Sequence, residues 1–162
     1  MASTSYQEIR DSLRQLYVED PRPWLVGFSG GNDSTMLASL IFDAVLSVPT
    51  GQRTKLVSVL CIDTRVEIPA IVEMVENMLA RMHKFSEQNL LNIEVNLLQP
   101  PPEQSFWVNI IGRGYPPANR VFRWCIQRLK IDPAQRSLER SHPASGSAPC
   151  RKLHPRANYG RP

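Results

Sequence analysis

The chain holds 162 residues with 19 basic and 15 acidic side chains, a formal charge of +4, and 42% hydrophobic residues. That length suits one ordinary domain, at roughly 150 residues apiece, and the apolar fraction excludes a wholly disordered chain. Residues 1–130 balance thirteen Lys/Arg against thirteen Asp/Glu, so the whole excess sits in residues 131–162 and the high isoelectric point does not by itself signal nucleic-acid binding.

No apolar run approaches the roughly 18–20 residues that span a bilayer. The start, MASTSYQEIRDSL, lacks the basic region and apolar stretch of a secretory signal. Cys61, Cys125 and Cys150 are odd in number and widely spaced, which fits a reducing compartment, and the expected localisation is cytoplasmic. No CxxC pair supports structural zinc.

In chain order, Ile9, Leu13, Leu16 and Tyr17 fall on one face of a helix over residues 5–18. Asp20-Pro21-Arg22-Pro23 stops it, because proline cannot continue a helix and restricts the residue before it. Residues 24–28 read as a short buried strand. It runs into Ser29-Gly30-Gly31-Asn32-Asp33-Ser34-Thr35 and then a helical stretch from Met36 to about Ser47. A second strand, 56–62, is rich in β-branched residues and ends at Asp63-Thr64. The next helix runs from about Ile68 to Gln88, with Ile71, Val75, Met78, Leu79 and Met82 at helical intervals. A third strand over 93–98 is closed by Pro100-Pro101-Pro102. Strand, helix, strand, helix, strand predicts an α/β fold, a Rossmann-like parallel sheet with helices on both faces. Ligands of such sheets bind where loops leave the carboxyl ends of the strands, the edge that residues 29–35 and 63–64 occupy.

From Gln104 to Ile131 the chain carries Arg113, Arg120, Arg123, Arg128 and Lys130 without one acid, interleaved with Phe106, Trp107, Tyr115, Phe122 and Trp124. Beyond Ile131 both periodicities fail, and residues 134–162 read as a disordered basic tail.

The Ser-Gly-Gly-x-Asp-Ser turn between strand and helix suits phosphate. Glycines let backbone N–H groups approach an anion, and those donors lie at the positive end of the helix dipole. Ser29, Ser34 and Thr35 add hydroxyls. Asp33 would repel phosphate unless it caps the helix or holds a Mg²⁺ that bridges carboxylate and phosphate. The Walker pattern and the dinucleotide fingerprint are both absent. The plainer alternative is an ordinary glycine-rich turn, which the flanking strand and helix disfavour.

SGGNDS resembles the pyrophosphate-loop signature SGGxDS of the adenine nucleotide alpha-hydrolase (PP-loop ATP pyrophosphatase) superfamily, which includes the PAPS reductases. The longer segments RPWLVGFSGGNDST, IDTRVEIPAIVE and PPEQSFWVNIIGRGYPPANRVFRWCIQRLKI resemble the DndC family of DNA phosphorothioation proteins of bacterial sulfur-modification systems. The likeness covers about residues 5–133, and the last segment is the most specific. It implies a sulfurtransferase-type ATP pyrophosphatase that activates a DNA backbone phosphate for sulfur incorporation, with ATP and Mg²⁺ as cofactors. DNA, other sulfur-modification proteins and a cysteine desulfurase are the implied partners. Ser29, Gly30, Gly31, Asp33, Ser34 and Thr35 would hold the pyrophosphate moiety, and Asp63 and Thr64 would face the nucleotide. Arg113, Arg120 and Arg123 would neutralise charge developing on phosphate; their alternative is a solvated basic face or ion pairs with acids of the first half. Asn32 departs from the related loops, which frequently carry lysine there.

The resemblance also implies an iron–sulfur cluster, to which Cys125 would contribute as a single ligand. A cluster normally needs four protein ligands. Cys61 reads instead as a small apolar strand residue and Cys150 belongs to the tail, so one copy of the chain is not expected to hold a cluster. Relatives continue past the FRWC…RLKI block, so the switch in composition after residue 133 is expected to mark truncation or a shifted reading frame; the competing reading is an authentic basic tail that binds DNA phosphate. Two further functional alternatives are a PAPS reductase-like sulfonucleotide enzyme and a non-catalytic remnant that only binds nucleotide or partner proteins.

Overall fold

In the computed structural model of the protein, residues 5–141 are described, with side chains through residue 137. They form two compact units, residues 5–59 with 74–95 and residues 60–73 with 96–141.

The first unit opens with α1, Tyr6–Glu19, whose start is closed by a reciprocal cap. Glu8 N–H donates to Ser5 Oγ (3.3 Å) and Ser5 N–H to Glu8 Oε2 (2.7 Å), which satisfies two donors that the first helical turn leaves without partners. Asp20, just before Pro21, ends the helix and accepts a paired grip from Arg22 at 2.8 and 3.0 Å. Strand β1, Trp24–Phe28, alternates as its five residues should: Val26 and Phe28 are buried, Leu25 and Gly27 exposed. Helix α2, Asn32–Leu46, leads to β2, Val57–Ile62; α3, Pro69–Gln88, leads to β3, Ile93–Leu98.

The strands lie in the order β1-β2-β3. Val57 N–H donates to Asn92 O (3.0 Å) and Asp63 N–H to Leu98 O (2.9 Å), so β2 and β3 advance together and are parallel. This is the mixed α/β class, with a three-stranded parallel sheet, that the sequence implies. The expected helices on both faces are not what the first unit has. Successive crossovers of one hand, stepping in one direction, put their helices on the same side, and Phe42 of α2 meets Phe85 of α3 with ring centroids 6.0 Å apart. The core between them and the sheet includes Val45, Val57, Val59 and Leu79, each 1% exposed or less.

Two cations fasten this unit. Arg53 donates to Leu46 O (2.8 Å), Val48 O (2.7 Å) and Asn89 O (2.9 Å), so one guanidinium serves the carboxyl ends of both α2 and α3. Lys55, only 7% exposed, lies over the rings of Tyr17 (4.9 Å) and Trp24 (4.7 Å) and donates to Leu16 O. Its ammonium is held below the ordinary lysine value, chiefly by burial.

The second unit follows β3 with one turn of wide helix, Val108–Gly112, in which Arg113 N–H reaches back five residues to Val108 O. A continuous helical run then passes through α4, Trp124–Ile126, a second wide turn, Gln127–Ile131, and α5, Asp132–Ser141. The wide turn has a local cause. Pro133 lacks an N–H and would clash with the carbonyl four residues back, and shifting to bonds of five residues, such as Asp132 N–H to Gln127 O, absorbs the conflict. The disordered tail expected from residue 134 is thereby corrected for its first part: Ala134–Ser141 continue the helix. The remainder, 142–162 with Cys150, lies outside the described residues, as do residues 1–4. Among the described residues no helix is long and apolar enough to cross a membrane.

Candidate functional site

The loop after β1 is shorter than its sequence suggests. Helix α2 begins at Asn32, so Asn32–Thr35 are its first turn and only Ser29, Gly30 and Gly31 remain as connection. Gly30 has φ +77, in the left-handed region that favours glycine, and a Cβ there would meet Val75 Cγ2 at 2.5 Å. Gly31 is different: its φ is −78, and a Cβ would meet only Ser29 Oγ at 3.5 Å. It is the N-cap of α2 and offers no side-chain acceptor to the first-turn N–H groups.

The hydroxyls of the loop bond inward. Ser34 Oγ donates to Gly31 O (3.0 Å) and lies 3.1 Å from Ser29 Oγ, and Thr35 Oγ1 donates to Gly31 O (2.8 Å). They therefore shape the turn and also take up two of its backbone donors, since Ser29 N–H reaches Ser34 Oγ (3.3 Å) and Gly31 N–H reaches Ser29 Oγ (3.4 Å). Asp33 is exposed in the first turn, where the helix dipole favours a carboxylate. The first unit thus holds Ser29, Gly30, Gly31, Asp33, Ser34 and Thr35 together at the start of α2.

Asp63 and Thr64 belong to the second unit, and both are committed to bonds within it. Asp63 Oδ1 accepts from Arg65 N–H (2.8 Å), and Oδ2 accepts from Gln99 Nε2 (2.9 Å). Arg65 itself takes φ 60 and donates to Gln99 Oε1 (2.8 Å). Thr64 is buried, and its Oγ1 donates to the Glu67 carboxylate (2.7 Å). The sequence placed these residues at a strand end without revealing that Glu67 and Gln99 hold them.

The basic–aromatic block also lies in the second unit. Trp124, 7% exposed, stacks on Phe106 (5.6 Å, 18°) and meets Tyr115 edge-on (5.4 Å). Around this cluster Gln104 Oε1 accepts from Arg113 (3.3 Å) and Arg128 (2.9 Å), so two guanidiniums converge on one neutral oxygen. Arg113 also donates to the fully buried Asn109 (2.9 Å), and Arg128 donates to Tyr115 OH (2.9 Å). Arg120 and Arg123 are exposed, and Arg123 Nε donates to Arg120 O (3.0 Å). Among the described residues no ion pair within 4.0 Å involves these four arginines or Lys130.

The described residues do not fit an iron–sulfur cluster. Nowhere among them do three or more His, Cys, Asp or Glu side chains gather as a metal site. Cys61 is 3% exposed, and burial pushes its thiol up to about 11. It behaves as the small apolar strand residue the sequence suggests. Cys125 is half-buried and free.

No protein-family model matches this chain, and no curated protein matches it either.

Proposed function

We propose that the protein is an ATP-binding, pyrophosphatase-type subunit of bacterial DNA phosphorothioate modification, of the DndC kind. The observation that carries this reading is the start of α2: an uncapped helix end, preceded by a glycine at φ +77 whose backbone rests on Val75. Oriented N–H groups at a helix start, with no side-chain cap competing, suit the β- and γ-phosphates of a nucleotide. Asp33 would hold the Mg²⁺ that travels with those phosphates, an ion that would supply neutralising charge there.

In the proposed reaction a non-bridging oxygen of a DNA phosphate attacks the α-phosphorus of ATP. The bond from that phosphorus to the β-bridging oxygen breaks, and pyrophosphate leaves into the 29–35 cradle. The adenylated DNA phosphate is then attacked at phosphorus by a sulfur nucleophile, and AMP departs with the original oxygen. Arg113, Arg120 and Arg123, which have no carboxylate partner among the described residues, would offset the negative charge that accumulates on phosphate. Asp63 and Thr64 would act by holding the Arg65 turn, since their own polar atoms are engaged.

Calorimetric titration with ATP and Mg²⁺ tests the cradle. Gly30→Ala and Asp33→Ala are expected to weaken binding at least about tenfold, equal to about 1.4 kcal/mol. Equal affinity in the wild type and both variants would refute the assignment. Pyrophosphate release that requires DNA, and sulfur recovered in the DNA backbone, separate this activity from sulfonucleotide reduction and from simple binding.

A further inference from the structure

Between Pro117 and Trp124 the chain makes a tight turn with an apolar tip. Asn119 closes it: its N–H donates to Phe122 O (3.1 Å), and its Oδ1 accepts from Val121 N–H (2.9 Å) and Phe122 N–H (2.8 Å). Val121 is 96% exposed and Phe122 44%. Single exposed apolar side chains are common on protein surfaces. Two in succession, on a backbone pinned by three hydrogen bonds and flanked on each side by an exposed arginine, are a specific arrangement. Arg123, bonded to Arg120 O, is kept at the base of the turn. The base is firm, because Trp124 is buried against Phe106 and Tyr115 and its Nε1 donates to Pro116 O (3.1 Å).

An apolar side chain between two cations matches the chemistry of a strained base step in DNA. The apolar group occupies the opened stack, and the cations neutralise the phosphates that crowd together on either side. We propose that Val121 and Phe122 form a wedge that enters a base step of double-stranded DNA, with Arg120 and Arg123 on the adjoining phosphates. This rests on the reading of the protein as a DNA-modifying subunit and deepens it: the phosphate to be activated would be presented on a kinked, locally unstacked backbone. A lipid surface is a poorer match, since two apolar side chains on one turn give little membrane affinity.

The test uses the full chain and a set of short duplexes in which 2-aminopurine scans successive positions. Its fluorescence rises when neighbouring bases unstack. The wild type is expected to produce a severalfold rise at one position or a narrow group of positions. Phe122→Ala should abolish that rise and lower affinity about tenfold, the scale of one lost stacking contact. Arg120→Gln and Arg123→Gln should each weaken binding and reduce the salt slope by about one, while the fluorescence rise persists at saturation. These side chains are exposed, and circular dichroism on each variant checks that the fold is kept. Duplex binding without a fluorescence rise at any position overturns the wedge, as does a rise unchanged in Phe122→Ala. Binding to anionic vesicles that is lost in Phe122→Ala, with no duplex binding, also overturns it in favour of a membrane contact. Unstacking without pyrophosphate release upholds the wedge while sinking the proposed activity.

Discussion

Gly30 and Gly31 stand side by side with different obligations. Gly30 carries a positive φ and a Cβ-sized gap already filled by Val75; Gly31 carries an ordinary φ and open surroundings. Gly30→Ala is therefore expected to cost about 3 kcal/mol, from the left-handed backbone and the overlap together. Gly31→Ala should cost under about 1 kcal/mol, because its only loss is a modest capping preference. Adding Val75→Ala to Gly30→Ala should recover about 1 kcal/mol as coupling, leaving the backbone penalty in place. Urea melts of these proteins, together with Val75→Ala alone to close the cycle, check all three figures. The cysteines differ as sharply. In a Cys150→Ser background, iodoacetamide should modify Cys125 in the native protein and Cys61 only on unfolding, since Cys61 is buried and its thiol is raised to about 11. Mass spectrometry of the native digest reads the result, and early labelling of Cys61 would contradict its place in the core.

At the scale of elements, strands were legible as short, largely apolar runs bounded by turn residues, and β1 and β3 fall at the residues the pattern indicates. The start of α2 was not legible. Asn32, Asp33, Ser34 and Thr35 are polar and have no apolar period, and the helix begins there because the Gly31 N-cap and an acidic first turn favour it. Helix α5 escaped for a related reason: Ala134, Gln135 and Arg136 are good helix formers, and propensity without an apolar stripe leaves no periodic signal. The candidate loop could be found because its residues are contiguous. The bonds that hold Asp63 and Thr64 run to Gln99 and Glu67, and the Gln99 partner is remote in sequence. Arg53 carried no signal either, being one arginine in a short connection. Its substitution by Met should destabilise the protein by about 2–3 kcal/mol, because three carbonyls at two helix ends lose a charged donor at once. Thermal melting measures that loss, and a change below the noise would show that water replaces the guanidinium.

For the whole molecule, the pH limits of stability follow from a few side chains. Arg22 holds the Asp20 carboxyl down to about 2, below its ordinary 3.8, so the stability it contributes is present above 3.8 and is lost as pH falls through about 2. Cys61 works at the other limit. Its thiol is raised from 9.0 to about 11, so its contribution is present below 9.0 and is lost as pH rises through about 11. Tyr17, raised chiefly by burial, adds to that alkaline fall. Lys55 opposes it, because a lysine depressed in the folded state gains stability as pH climbs towards 10.5. Chemical melts across this range should show Cys61→Ala and Tyr17→Phe flattening the alkaline fall and Lys55→Met steepening it. The opposite ordering would mean that burial is not what sets these groups.

A single guanidinium that serves two helix ends also ties their fluctuations together. Fraying of the last turn of α2 opens the amide of Ser47, bonded to Asp43 O, and fraying of α3 opens that of Asn89, bonded to Phe85 O. While Arg53 bridges the two, neither turn can open without giving up a bond that the other shares. Hydrogen exchange should then report one opening free energy for both amides, a small cooperative unit that crosses from helix to helix. In Arg53→Met the two amides should part company, each exchanging at the rate of its own helix end.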